Sequence, residues 1–202
     1  LALLAGNYML LSAENKLKAG MNKTLLRHPL ARFLLLFIFL YTAWYLLYEL
    51  YLNPKGGMDR FVINSSVWAS EHVLKLIGYV TFTTHSETIR TVGIDGTTGL
   101  WIGDPCDGLT LFALFTAFIL SFPGPWKHKV WFIPCGVLAI FMINVLRIAG
   151  LCMVVKYKPA LLDLNHDYVF KILVYAFIFG LWMLWVNRFS SIRSSLSTNE
   201  SK

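Results

Sequence analysis

The chain has 202 residues, of which 56% are hydrophobic and only 14% charged, with a mean hydropathy of +0.58. Soluble chains carry roughly 25% charged residues, so composition excludes a soluble domain and points to an all-α helix bundle in lipid. The net charge of +7 is no sign of a nucleic-acid partner, because the basic residues cluster at the ends of apolar segments, where membrane topology requires them.

In chain order, residues 1–29 form a cytoplasmic N-terminal segment whose apolar start, Leu1–Leu11, is too short to span a bilayer. Met21, just ahead of a basic approach, is the expected translation start, and the order of charge and apolar residues is unlike a signal peptide. A single transmembrane domain then runs over 30–189, interrupted by an extracytoplasmic insertion at 53–105. Its first span, Leu30–Leu52, carries Trp44, Tyr45, Tyr48 and Tyr51 as an interfacial belt.

Within the insertion, Phe61–Val80 has the periodicity of an amphipathic helix lying along the membrane surface. His72 and His85 read as solvated histidines. Thr88–Ile94 and Gly99–Ile102 read as a β-hairpin about the Asp95-Gly96 turn. Beyond it, Asp104 is an expected N-cap and Pro105 suits a first helical position, so Cys106 is expected in the first turn of a helix continuing through Leu109–Phe122. A basic turn, Pro123–Lys129, leads to a third span over Val130 to about Val155, and His166–Trp185 forms a fourth. Residues 190–202 read as a polar, disordered cytoplasmic tail. Lys23, Arg27, Arg32, Lys127, Lys129, Arg188 and Arg193 fall on one side, the cytoplasmic one by the positive-inside rule.

Three polar residues converge in this topology. Spans two and three form a hairpin, so residue count from its turn measures depth: Cys106 and Arg147 both lie roughly 24 Å above the inner face. His166, at the outer end of span four, sits one or two turns higher. An arginine within a span costs at least about 2.5–3.5 kcal/mol on insertion scales, which makes Arg147 a candidate functional residue unless it snorkels to the headgroups. Asn144, one turn earlier, is placed to orient it or to bind a neighbouring helix. Cysteine, guanidinium and imidazole together are the parts of thiol catalysis: nucleophile, oxyanion stabiliser and proton carrier. The helix dipole favours a Cys106 thiolate, Asp104 and Asp107 oppose it, and Gly108 leaves room for a substrate backbone. Cys106, Cys135 and Cys152 form no CxxC pair, which argues against a disulfide framework, a metal site or a cofactor.

The order Pro105-Cys106-Asp107-Gly108-Leu109, Asn144-Val145-Leu146-Arg147-Ile148 and Asn165-His166-Asp167 resembles the exosortase/archaeosortase family of membrane-embedded cysteine peptidases and transpeptidases. The likeness covers about 88–188 and departs from the family at Asp107, where serine is usual, and in lacking a glycine soon after His166. The resemblance implies that Cys106 is the nucleophile, with Arg147 and His166 completing the site. It also implies that the substrates are exported proteins whose carboxy-terminal tails combine a short motif, a transmembrane helix and a basic cluster. The bond attacked would then sit at the extracytoplasmic face of the cytoplasmic (inner) membrane. The rival reading is a non-catalytic scaffold or assembly subunit in surface polysaccharide or protein export. A small transporter using Arg147 to bind an anion is a further alternative, but no repeated halves or broken helices support it.

Overall fold

The computed structural model describes residues 29–85, 90–103 and 108–189. The apolar runs become helices. α1 covers Pro29–Leu47 and is extended by a wider turn to Leu52. α3 covers Leu109–Ser121, α4 Trp126–Tyr157 and α5 Phe170–Phe189, while α2, Gly57–Leu76, lies in the insertion. Three segments are long and apolar enough to cross a membrane: Pro29–Leu52, Trp126–Tyr157 and Pro159–Phe189. The expected second span falls short of that length. α3 has 13 residues, about 20 Å of helix against a hydrocarbon core of about 30 Å.

The start of α3 also differs from expectation. Gly108 is its N-cap at φ 90°, a left-handed conformation that cannot lie inside a right-handed helix. The helix therefore opens at Leu109 and does not run on from Asp104. The proposed cap at Asp104, together with Pro105, Cys106 and Asp107, lies outside the described residues, as do the N-terminal segment and the polar tail.

α3, α4 and α5 alternate in direction. Pro123–Pro125 turns the chain tightly into α4, and the C-terminal end of α5 packs at that same turn, with His128 and Phe189 rings 5.1 Å apart. α1 enters at this end as well, through Phe33 edge-on to Phe118 and Phe122 at 5.4 and 5.2 Å. Between the helices lies an apolar core of Phe115, Ile119, Phe132, Ile140, Val174, Ile178 and Trp185. Gly136 permits its closest approach: a Cβ there would stand 2.2 Å from the Phe115 ring.

At the opposite end of the bundle a second core forms on α4. Ile63, Val67 and Leu74 of α2 pack with Val92, Ile94 and Ile102 of the sheet and with Ile148, Ala149 and Cys152 of α4. Small side chains bring α2 close: Ser66 and Ser70 are buried, and the Ser70 hydroxyl donates to the Val145 carbonyl at 3.4 Å. The buried face of the amphipathic helix is thus taken up by protein, while Phe61 and Trp68 stay exposed. Tyr48 ties α2 to α1 by donating to buried Asp59 at 2.8 Å.

α2 ends four residues before the expected Val80. Gly78, at φ 97°, donates to Lys75, and Tyr79 donates to Leu74. This is the Schellman arrangement, which satisfies the last carbonyls with a left-handed glycine. The released chain forms a strand the sequence did not reveal. The sheet has three antiparallel strands: β1 Thr81–His85, β2 Arg90–Ile94 and β3 Leu100–Trp101. β2 and β3 are the expected hairpin, with Val92 opposite Leu100, and β1 adds to the other edge with Phe82 opposite Gly93. Phe82 lies over Gly93 and Gly99, where any side chain would collide with its ring.

α4 joins the two cores. Its 32 residues make a rod of about 48 Å, roughly 18 Å longer than the hydrocarbon core, and the excess carries α2 and the sheet.

Candidate active site

The junction of the two cores on α4 is polar. The apolar cluster within the bundle reaches Ile143 and the sheet-side cluster resumes at Ile148, and between them stand Asn144, fully buried, and Arg147, 7% exposed. One helical turn apart, they share a face. That face meets the entry to α3: a Cβ on Gly108 would lie 3.5 Å from the Asn144 amide nitrogen.

Arg147 lines a cavity of about 280 Å³ between α3, α4 and α5, with Gly108, Thr110, Lys171 and Tyr175 also in its wall. Its Nε has no hydrogen-bond partner among the described residues. A snorkelling arginine would extend along lipid to the headgroups, whereas this one is enclosed by protein and faces a cavity. Of the proposed residues, then, the structure brings Gly108, Asn144 and Arg147 together.

His166 is placed differently. It lies on the wide turn Asn165–Val169 leading into α5, and its half-exposed ring does not line the cavity. Its Nδ1 is 3.2 Å from Asp167 Oδ1, and the same oxygen accepts from Lys171 Nζ at 2.9 Å. A polar chain therefore links the imidazole to the cavity wall through Asp167 and Lys171. Lys171 was missed by the sequence reading, although a charged residue just inside a span, four positions after an aspartate, was a visible signal.

Cys106 lies outside the described residues, but the helix-dipole argument for its thiolate changes. The positive end of α3 is at Leu109, beyond Gly108, so Cys106 stands three positions before the helix in sequence, outside its first turn. Of the other cysteines, Cys135 is exposed, while Cys152 is buried and its thiol donates to the Val92 carbonyl at 3.6 Å, a packing role between α4 and the sheet.

The architecture defines a multi-pass helical membrane protein with a small sheet domain on one end. Residues 19–187, more than four fifths of the chain, match the family described as transmembrane exosortase (Exosortase_EpsH), and the chain belongs to that family. The match extends well upstream of the half of the chain that carried the motif resemblance. No curated protein and no solved structure matched the chain. Family membership gives the protein a membrane exosortase-type function.

Proposed function

We propose that the protein is a cysteine peptidase or transpeptidase that cleaves the carboxy-terminal sorting tails of exported proteins through a thioester on Cys106. The sheet end faces outward from the cytoplasmic membrane, and the turn at Pro123–Pro125, flanked by basic residues, faces the cytoplasm. The observation that carries the reading is Arg147: a cation nine-tenths buried at the polar junction of α4, on the wall of a cavity that Gly108 also lines, two residues beyond Cys106.

The roles follow from the chemistry of each group. His166, whose ring must turn from its Asp167 contact toward the cavity, takes the Cys106 proton, and the thiolate attacks the carbonyl carbon of the scissile peptide, forming the C–S bond and moving the carbonyl electron pair onto oxygen. Arg147 donates to that oxyanion, and Asn144 supports the guanidinium. Collapse breaks the C–N bond, and the amine of the departing tail takes the proton from His166. Water or an acceptor amine then attacks the thioester, loses a proton to His166 and releases the thiolate.

Co-expression with an exported protein bearing such a tail tests this. Wild type should shorten the substrate by the mass of its tail, and hydroxylamine should intercept an acyl group on Cys106. Cys106→Ala should abolish both, while Cys135→Ala should leave both intact. Normal processing by Cys106→Ala would refute the enzyme and leave a non-catalytic scaffold.

A further inference from the structure

We propose that a groove running along α3 between α1 and α4 seats the transmembrane helix of the substrate's own tail. Its floor is α3, through Leu109, Ala113, Thr116, Ala117 and Leu120, and its walls are Leu40 and Trp44 of α1 and Val137 of α4. Met58, at the start of α2, also lines it. The groove encloses about 370 Å³, and no charged side chain is among its described lining residues. It is distinct from the Arg147 cavity, which lies between α3, α4 and α5. Phe118, two residues on from Thr116 and so on the opposite side of α3, stacks on Trp182 of α5 with ring centroids 4.3 Å apart.

Depth and direction select a membrane-spanning guest. Leu109 and Leu120 are eleven residues apart, about 17 Å along α3. Val137 lies eleven residues beyond Trp126, about 16 Å from the turn and near the middle of a hydrocarbon core about 30 Å thick. One end of the groove is Leu109, the residue after Gly108 and the third after Cys106. A tail attacked at Cys106 and continuing into the membrane must descend beside α3. One face of α3 is taken by the bundle core through Phe115 and Ile119, and another by α1 and α5 through Phe118; the groove face is left. Two features favour a helix over a lipid chain. Ala113 and Ala117, one turn apart, allow a backbone to approach closely, and Thr116 brings a hydroxyl into an otherwise apolar floor. A helix gains close packing from the first and a hydrogen bond from the second, whereas an acyl chain gains neither. That the guest is the substrate's tail rests on the peptidase reading above.

The test uses the full chain with Cys106→Ala, so that no tail is consumed, in membranes that also hold an exported protein ending in a short polar motif, one transmembrane helix and a basic cluster. Trp44→p-benzoylphenylalanine should, on irradiation, cross-link to this protein, and mass spectrometry should place the adduct within its transmembrane helix. Phe179→p-benzoylphenylalanine, at an exposed ring on α5, should give no such adduct. Ala113→Phe, which fills the groove, should lower the yield from the Trp44 position about tenfold. Thr116→Val should lower it about threefold, the loss of one interhelical hydrogen bond, and Thr116→Ser should retain it; this pair adds no volume, should Ala113→Phe fail to fold. Adducts to lipid alone, equal adducts from the Trp44 and Phe179 positions, or an unchanged yield in a folded Ala113→Phe would overturn the proposal. Tail shortening by the wild type without a cross-link would refute the groove alone. A cross-link without shortening by the wild type would refute the peptidase and leave the groove holding the tail helix.

Discussion

A single methyl group at Gly108 separates dihedral strain from crowding at the entry to α3. The residue sits at φ 90°, where L side chains are rarely found. Space is not limiting, since a Cβ would meet the Asn144 amide nitrogen and the Phe112 ring at 3.5 Å each, ordinary van der Waals contact. The cost of alanine is therefore conformational, about 1–2 kcal/mol for a left-handed L residue. Asparagine, although larger, tolerates this region better. If the turn must hold Cys106 against the Arg147 cavity, a strain of that size lowers processing roughly 5- to 30-fold in Gly108→Ala, with Gly108→Asn falling between alanine and wild type. The measurement is the initial rate of tail cleavage by reconstituted protein, alongside the melting temperature in detergent. Asparagine slower than alanine would point to crowding against Asn144 and refute the dihedral argument. Alanine at the wild-type rate would refute the role of this turn.

The remaining predictions concern charge and packing. Arg147→Lys should insert normally yet lower turnover by about 100-fold or more, because a point charge cannot reproduce the planar fork; near-wild-type turnover would return Arg147 to a structural role. Lys129, 4% exposed, donates to the Leu120 carbonyl at 2.7 Å and lies over the Trp126 ring, capping the C-terminal end of α3 with a cation. Lys129→Met should destabilise the bundle by about 2–3 kcal/mol in a detergent unfolding assay, and an unchanged midpoint would count against the cap. Gly136→Leu should cost about 1–3 kcal/mol or more through collision with Phe115. Phe115→Ala in the same chain should recover part of that loss, and strictly additive losses would show that the two residues do not meet.

Much of the fold was legible because lipid makes long apolar runs nearly synonymous with helices. The first, third and fourth spans follow from that rule, as does the Asp95-Gly96 hairpin from its turn residues. The misreadings have local causes. The span expected to continue to Phe122 opens at Leu109, because Gly108 at φ 90° cannot be part of the helix, which leaves α3 shorter than a full span. Gly78 ends α2 where the apolar pattern ran on to Val80, and Tyr79–Val80 then lead into the unforeseen strand. In the site, the helical interval between Asn144 and Arg147 made their shared face readable from sequence. The orientation of His166 was not readable, because the wide turn at Asn165–Val169 and the Asp167 contact set the ring direction. Lys171 is marked in the sequence by its spacing from Asp167, but residue type alone does not set its direction toward the cavity.

The length of α4 makes the protein sensitive to the thickness of the membrane around it. One unbroken rod belongs to both cores, so a thinner or thicker bilayer that changes its tilt carries the sheet domain along and raises or lowers Arg147 relative to the headgroups. Lipid composition thereby acts on the position of this arginine without touching any side chain near it.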